Sequence, residues 1–304
     1  MAVSPRVIKR RIKSVANTRK ITKAMELVSA SKMRKAVQLA MSSRDYSKTV
    51  TALIEDVRGL IDPSTHPLLA GRVDAKSTLV IVAASDRGLC GSFNSQILKK
   101  TIEFLSHRSE KLRVITVGRR AEQSVRRAGV EIEAAFEAIS NAPTFERTTP
   151  IGKLVYSQFL SGHADRVFLA YTDFKNAVTQ IPTINQLLPV IPEDELKKGN
   201  ETPEENDEFE ETKRTESEEA GILFEPDPVT VLDTLLPRLI DMRIYQALLE
   251  SAASEHSARM LAMKNATENA SEMLDDLTLT YNQARQANIT REISEISAGK
   301  AAIE

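Results

Sequence analysis

The feature that most constrains this chain is a heptad pattern in its C-terminal quarter. Between residues 227 and 297, small or apolar side chains recur at alternating steps of three and four residues, at Met263, Ala266, Ala270, Met273, Leu277, Thr280, Ala284 and Ala287. Such a repeat is typical of a helix that packs along a second helix in a left-handed coiled coil. About 70 residues of helix would extend on the order of 100 Å, more than a domain of this size spans. The pattern therefore predicts a long helix that needs another long helix as its partner.

The N-terminal segment supplies that partner. Ser4 followed by Pro5 is a helix start signal, because serine caps a helix and proline is favoured at the first helical position. Apolar residues then follow at similar steps, with one looser section, at Ile8, Ile12, Val15, Ile21, Met25 and Val28. We predict one N-terminal helix over residues 1–60, ending near Gly59 and Pro63, that packs against the C-terminal helix.

Charge is distributed by segment. Residues 1–48 contain thirteen Lys or Arg against two acids, whereas the net charge of the whole chain is −1. A basic helix is compatible with a solvated face, but small polar residues near its apolar stripe, including Thr22 and Ser29, leave it too little apolar surface to stand alone, which favours a surrounding sheath. The acid-free start is also compatible with a mitochondrial transit peptide. Because the periodicity continues smoothly beyond it, we expect this segment to remain in the mature chain.

The middle of the chain changes period. Residues 79–84 (LVIVAA) form a continuous apolar run, as in a strand that is covered on both faces. Strand-like and helix-like segments alternate after it, including a helix expected to begin at Thr149 and Pro150 and an irregular, proline-containing edge strand over residues 177–191. Residues 61–192 are therefore predicted to form a Rossmann-like α/β domain with a largely parallel sheet, inserted between the two long helices.

Residues 193–221 interrupt this order. The stretch from Glu193 to Glu219 holds thirteen acids against four bases and almost no apolar side chains, which is typical of a disordered loop. The C-terminal helical segment is expected over residues 222–304. Its helix should begin with Asp227 as N-cap, kink or restart at Pro237, and end at Gly299.

Composition excludes several classes of protein. The single cysteine, Cys90, rules out an intrachain disulfide and a multi-cysteine metal site, and it fits a reducing compartment. No apolar run approaches the ~20 residues that cross a bilayer. We therefore expect a soluble or peripheral protein.

The α/β domain raises the possibility of an enzyme. The turn at residues 85–91 (SDRGLCG) follows the first strand, where a dinucleotide-binding fold holds phosphate, but it has neither the G-x-G-x-x-G nor the P-loop spacing. Nucleotide binding therefore remains only an alternative to a tight structural turn. Cys90 is either a nucleophile or a buried apolar side chain, and the four histidines show no ligand spacing. No catalytic residue, cofactor or metal ligand is predicted.

Four sequence motifs resemble the signatures of the gamma subunit family of F-type ATP synthases. They are residues 21–36 (ITKAMELVSASKMRKA), 85–91 (SDRGLCG), 258–267 (ARMLAMKNAT) and 281–290 (YNQARQANIT). These motifs are long and occur in the right order, and the resemblance runs from residue 4 to residue 302. It omits only the acidic stretch.

The resemblance implies a fold, a function and partners. The two terminal helices would form an antiparallel coiled coil inside a ring of three alpha and three beta subunits, with the α/β domain against epsilon and the c ring. The subunit would be a non-catalytic rotor shaft that couples ion flow through the c ring to ATP synthesis and hydrolysis on the beta subunits. It would lie peripherally on the cytoplasmic face of a bacterial inner membrane, which it would contact only through the complex.

The resemblance also implies residue roles. Met25 and Arg87 would lie near an acidic loop of beta. Arg285 and Gln286, with Thr290 and Glu292 nearby, would form a hydrogen-bonded latch on beta, for which a guanidinium is suited. Leu223 and Phe224 would precede the segment facing epsilon and the c ring.

The chain departs from the family pattern in three places. Ser92 and Phe93 replace a frequent second glycine, Pro237 replaces a helix former, and the acidic loop lacks the cysteine pair of photosynthetic relatives. We expect that loop to be tolerated with at most an electrostatic role.

A competing interpretation is a coiled-coil adaptor whose basic arm binds nucleic acid or an anionic membrane, with binding that collapses in salt. A nucleotide-binding α/β enzyme is a third alternative.

Overall fold

A computed structural model describes residues 5–58, 66–72, 75–190 and 227–301. Helix α1 spans Pro5–Arg58 and helix α5 spans Pro228–Ala301. Between them lie β1 (Ser77–Ala83), α2 (Phe93–Ser106), β2 (Lys111–Val117), α3 (Arg119–Arg127), β3 (Glu131–Phe136), α4 (Phe145–Leu160), β4 (Arg166–Phe174) and β5 (Gln180–Leu188). The predicted cap at Ser4, the helix end near Gly59 and Pro63 and the acidic loop at 193–221 lie outside the described residues.

The five strands form one sheet in the order β3-β2-β1-β4-β5. The pairs β1–β2, β1–β4 and β2–β3 are parallel, and β5 pairs antiparallel with β4 at the edge. The predicted, largely parallel sheet and its proline-containing edge strand are thus confirmed. Pro182 is tolerated in β5 because an edge strand has one side on which a missing N–H breaks no ladder.

The apolar run of β1 is buried on both faces. Leu79, Ile81 and Ala83 belong to a core with α4, β4 and the first part of α5. Val80, Val82 and Ala84 alternate with them and belong to a second core formed with α2 and α3. Because successive side chains of a strand point to opposite faces, an unbroken apolar run is what a central strand between two helical layers requires.

Contacts divide the chain into two compact units. Unit 1 comprises Met1–Lys32, Leu89–Gly91 and His256–Glu304, and unit 2 comprises Met33–Gly88 and Ser92–Glu255. The sheet and its two cores belong to unit 2.

Within unit 2, α1 and α5 run antiparallel. Ala36 of α1 packs against Ala252 and Ala253 of α5. One heptad further along α1, the Ser43 hydroxyl donates to the Gln246 side-chain oxygen, seven residues before Ala253 on α5. Next to this pair, Arg44 donates to Glu250 Oε1 at 2.9 Å. The two helices are therefore joined by small side chains and by a short polar cluster.

The start of α5 agrees with the sequence prediction, whereas a restart at Pro237 and an end at Gly299 are contradicted. Asp227 is the N-cap, since its Oδ1 accepts from the Thr230 N–H at 3.0 Å. However, the helix continues through Pro237 without a restart and past Gly299 to Ala301. Leu236 and Leu239, which flank the proline, are fully buried. We attribute the continuity to this packing, which offsets the hydrogen bond that proline cannot make.

Helix α4 begins earlier than predicted. Thr144 is its N-cap residue and Phe145 its first residue, so that Pro150 lies inside the helix rather than at its start. Thr148 and Thr149 direct their hydroxyls to the Phe145 carbonyl, at 2.8 and 2.9 Å. The Thr-Pro pair was therefore misread as a cap, because a threonine hydroxyl can also bond back to its own helix.

Asp165 fastens the start of β4 to the start of β1. One carboxylate oxygen accepts from the Lys76 and Ser77 N–H groups and from the Ser77 hydroxyl, at 2.8–3.0 Å, while the other accepts from Arg72 at 2.8 Å. Burial disfavours the charged carboxylate, but these donors outweigh it and lower the pKa of Asp165 to about 2.

We predict that Gly118→Ala destabilises the fold much more than Gly129→Ala. Both glycines have positive φ, at 93° and 72°, but a Cβ at 118 would lie 2.1 Å from the Ala84 carbonyl oxygen, whereas a Cβ at 129 meets nothing within 4 Å. The control should lose about 1 kcal/mol of unfolding free energy, and Gly118→Ala at least about 3 kcal/mol. Denaturant unfolding measures both, and similar losses would contradict the predicted clash.

We also predict a pH-dependent role for Asp165. Its folded pKa lies below the unfolded value, so its stabilisation is complete above about pH 4 and is lost as the pH falls towards 2. Asp165→Asn should therefore cost about 2 kcal/mol at pH 7, and this difference should shrink below pH 4 in denaturant titrations. Glu122→Gln, in an exposed ion pair with Arg126, is the control. A cost at pH 3 equal to that at pH 7 would refute the prediction.

Candidate partner-contact site

The seam of α5 in unit 1 includes five of the eight predicted positions. Met263 and Ala270 are buried and Leu277 and Ala284 are half-buried, as the pattern predicts. Between them the covered residues are Thr267, Leu274 and Tyr281. The predicted alternates Met273, Thr280 and Ala287 are exposed, and only Ala266 is half-buried. The sequence could not choose between them, because steps of 3 then 4 and steps of 4 then 3 share every seventh position.

In the middle of the α1 seam, the buried residues are not the ones that the sequence pattern predicts. Ile8 is buried and Ile12 and Val15 are half-buried, but further along Thr22 and Ser29 are buried. The predicted Ile21 and Val28 are 60% and 56% exposed. Small side chains allow two helices to approach closely, which explains why they replace the larger apolar ones at the contact.

Two hydroxyls of this seam, those of Thr22 and Thr267, are hydrogen-bonded. The Thr267 hydroxyl lies 2.8 Å from the Thr22 hydroxyl, linking α5 to α1 within unit 1. Thr22 in turn donates to the Arg19 carbonyl at 3.1 Å. A satisfied hydroxyl costs little to bury, whereas an unpaired one would destabilise the contact.

The outward face of α1 in unit 1 carries apolar and basic residues. Ile21 and Val28 are exposed and Met25 is half-buried, and their spacing of four and three residues places them in one stripe. Around this stripe the following basic residues are exposed: Arg6, Lys9, Arg10, Arg11, Lys13, Arg19, Lys20 and Lys23. A stripe of large apolar side chains on a basic helix is a surface suited to a partner rather than to water.

The far end of α5 is uncovered. Every residue from 285 to 298 is exposed, including Ile289, Ile293 and Ile296 at 45%, 59% and 73%. Their steps of four and three residues place them in one stripe, a spacing that the sequence already contains but that the seam pattern does not include. Isoleucines on an exposed helical stripe mark an interface.

Four of the predicted contact residues lie on this uncovered part of α5. Arg285, Gln286, Thr290 and Glu292 are all exposed. Gln286 and Thr290 are four residues apart and share a face, while Arg285 and Glu292, seven apart, share another. The chain thus presents a guanidinium, an amide, a hydroxyl and a carboxylate near the Ile stripe, all available to a second molecule.

Arg87 lies in unit 2, in the turn that follows β1, and its side chain is exposed. The turn is held by Asn94, whose Oδ1 accepts from the Ser85 N–H at 3.0 Å and whose Nδ2 donates to the Ser85 hydroxyl at 2.7 Å. Ser85 in turn donates to the Arg87 carbonyl. Leu223 and Phe224, predicted for epsilon and the c ring, lie outside the described residues.

Little in the described residues supports catalysis. Cys90 is buried, as expected of a packed side chain. Within the described ranges no group of three or more His, Cys, Asp or Glu side chains is placed to hold a metal. One N–H at the start of α3 that a phosphate would need, that of Arg120, donates to the Ser85 carbonyl at 3.0 Å.

The described helices also include none that is long and apolar enough to span a membrane.

Comparison with known proteins identifies a family. The family described as ATP synthase matches residues 4–303. The ATP synthase gamma chain of Pelotomaculum thermopropionicum is 42% identical over 301 residues, covering 99% of each chain. That of Dehalococcoides mccartyi strain CBDB1 is 40% identical over 300 residues, covering 98% of each.

Solved structures show the same architecture. A chain of the central stalk and c ring of the Tetrahymena thermophila mitochondrial ATP synthase is similar with a TM-score of 0.58 and 28% identity, over 81% of this chain and 99% of that one. A chain of the Euglena gracilis mitochondrial ATP synthase has a TM-score of 0.65 over 98% and 94%, at 19% identity, and shows the fold alone. Both terminal helices, the inserted domain and the near-complete match to bacterial relatives lead to one conclusion: the chain belongs to the ATP synthase gamma chain family.

Proposed function

We propose that this chain is the central rotor shaft of an F-type ATP synthase, which couples ion flow through the c ring to ATP synthesis and hydrolysis. The observation that carries the proposal is the match of the ATP synthase family to residues 4–303, supported by gamma chains that are about 40% identical over their full length. The gamma chain is non-catalytic, and the catalytic sites lie on the beta subunits. The long antiparallel helix pair is the part of the fold that suits a shaft.

The partners are a ring of three alpha and three beta subunits, an epsilon subunit and the c ring. A ring explains why Ile21, Val28, Ile289, Ile293 and Ile296 are exposed and Met25 is only half-buried among the residues that the structure describes. Burying them against a surrounding bearing removes apolar surface from water. The basic face of α1 suits acidic surroundings, which would align the shaft electrostatically.

Specific residues are proposed to contact beta. Met25 and Arg87 lie near its acidic loop, and Arg285 with Gln286 forms a hydrogen-bonded latch with Thr290 and Glu292 nearby. The exposure of the four α5 residues supports this, because a latch must be reachable by a second chain. Charge-assisted hydrogen bonds from a guanidinium are directional, so that they form in one rotor position and break in the next.

The lower part of the shaft is proposed to contact epsilon and the c ring. We propose a division into an N-terminal helix (1–60), an α/β domain (61–192), an acidic loop (193–221) and a C-terminal segment (222–304). The α/β domain, with Leu223 and Phe224, is the part proposed to face epsilon and the c ring. The curated relatives are bacterial, which supports a peripheral position on the cytoplasmic face of the inner membrane, with membrane contact through the complex only. The comparisons do not support a nucleic-acid or membrane adaptor.

Co-expression tests the proposal directly. The chain produced together with alpha and beta subunits from the same source should purify as a stoichiometric complex whose ATP hydrolysis depends on it. The chain alone should retain no nucleotide. Failure to co-assemble, or salt-sensitive binding to nucleic acid or anionic vesicles in its place, would overturn the proposed function.

The latch makes a sharper prediction. Replacing Arg285 and Gln286 together by Ala should lower ATP synthesis by about tenfold, the factor expected when one hydrogen bond to a charged group is lost. Assembly of the complex should fall much less, because the apolar stripes remain. Arg291→Ala removes the same charge from the same exposed part of α5 and is the matched control. Equal losses of assembly and synthesis would contradict a latch.

A further inference from the structure

One carboxylate ties three loops together at the carboxyl ends of the parallel strands. Asp86 follows β1, and its Oδ2 accepts from the Ser140 hydroxyl at 2.9 Å. Its Oδ1 accepts from the Arg119 N–H at 3.2 Å and, at a longer 3.4 Å, from the Ala138 N–H. Arg119 begins the helix after β2, and Ala138 and Ser140 follow β3. A single side chain therefore joins the turns after β1, β2 and β3.

The donors around Asp86 favour an anion. The Arg119 N–H belongs to the first turn of α3, where no carbonyl of the helix can accept it and the helix dipole is positive. A carboxylate can accept all three hydrogen bonds at once, since it has two oxygens and no proton to place. Unpaired N–H groups at a helix N-terminus bind phosphate in other proteins. Here the carboxylate of the chain itself takes that role.

The loop after β3, which contains Ala138 and Ser140, is held in an uncommon conformation. Ala138 has a φ of 59°, in the left-handed region that residues with a Cβ rarely adopt. Its N–H is directed at Asp86, and its carbonyl accepts from Arg147 at 3.1 Å. Such conformations persist where surrounding contacts determine them. The loop after β3 is therefore fastened from both sides around the Asp86 carboxylate.

These contacts fix the backbone next to Arg87. The side chain of Asp86 anchors the residue before Arg87. The Arg87 carbonyl itself accepts a hydrogen bond from the Ser85 hydroxyl, and that hydroxyl in turn accepts one from Asn94. Arg87 thus projects from a backbone that is restrained at its own carbonyl and at the preceding residue. A long cation presented from a restrained turn loses less conformational freedom on binding than one on a loose loop.

We propose that Asp86 is the positioning residue for Arg87: its carboxylate, bridging the loops after β1, β2 and β3, aims the Arg87 side chain at the beta subunit. This inference rests on the proposed function, because it needs Arg87 to contact beta. Asp86 itself would not contact the beta subunit, but it would determine how firmly Arg87 does.

A double-mutant cycle in the assembled complex tests the inference. Asp86→Ala and Arg87→Ala should each lower ATP synthesis by about tenfold, the factor for one hydrogen bond to a charged group. The double variant should be no worse than Arg87→Ala, because a positioning residue has nothing left to position. Multiplied losses in the double variant would overturn the inference, as would normal synthesis in Asp86→Ala beside impaired synthesis in Arg87→Ala.

Two further variants separate positioning from general stability. Asp86→Asn should keep most of the activity, since an amide oxygen accepts from the two N–H groups and the Ser140 hydroxyl can rotate to accept from the amide. Glu122→Ala, which removes a carboxylate of α3 paired with Arg126, should behave as the unaltered chain. If Asp86→Ala lowers assembly as much as synthesis, Asp86 is structural only and the inference fails. Normal synthesis in Arg87→Ala would refute the Arg87 contact and with it the inference, whereas loss of co-assembly by the unaltered chain would refute the proposed function itself.

Discussion

Close approach of two helices through small side chains is the constraint on which this structure depends. Along α1, the buried positions Thr22, Ser29, Ala36 and Ser43 recur every seven residues. On α5, Ala253 packs against Ala36 and the Thr267 hydroxyl lies beside that of Thr22. Small residues bring the helix backbones together and satisfy their hydroxyls within the pair, but they bury little apolar surface. The seam therefore fixes how closely the two helices approach, but it contributes little hydrophobic stabilisation.

Because the seam buries little apolar surface, most of the hydrophobic core lies elsewhere in the chain. The sheet of unit 2, buried on both faces, provides a conventional core to which the neighbouring parts of α1 and α5 are fastened by side chains such as Val50 and Leu248. In unit 1, Ile21 points outwards beside the buried Thr22 of the seam, and Ile293 lies on the exposed end of α5. A helix pair of this kind suits a bearing formed by other subunits, since its outer face supplies the apolar area that its inner face lacks.

The inserted domain uses a nucleotide-binding architecture for another purpose. Its strand order matches the framework in which a dinucleotide-binding fold holds phosphate at the helix after the first strand, but the turn after β1 lacks the glycine spacing of such a site. In this chain the Arg119 and Arg120 N–H groups are used by Asp86 and by the Ser85 carbonyl. The tight passage of Gly118 beneath Ala84 closes the turn further. The loops at the carboxyl ends of the strands thereby become a rigid platform for surface residues.

By itself, the sequence determined the kinds of element, their order and several of their ends. The two-faced run of β1, the proline-bearing edge strand, the Asp227 cap and the long terminal helices all follow from local periodicity and backbone chemistry. Tertiary structure decided which face of each helix is inside, which alternate positions of α5 join the seam, and that α5 passes Pro237 unbroken. Those choices depend on how closely two helices can approach and on which neighbours bury a segment. Such contacts join residues that are far apart in the chain, and the periodicity of one segment carries no information about them. Ile21 and Thr22 are neighbours in the sequence. Thr22 lies on the inner face because it contacts Thr267, and Ile21 is left on the outer face.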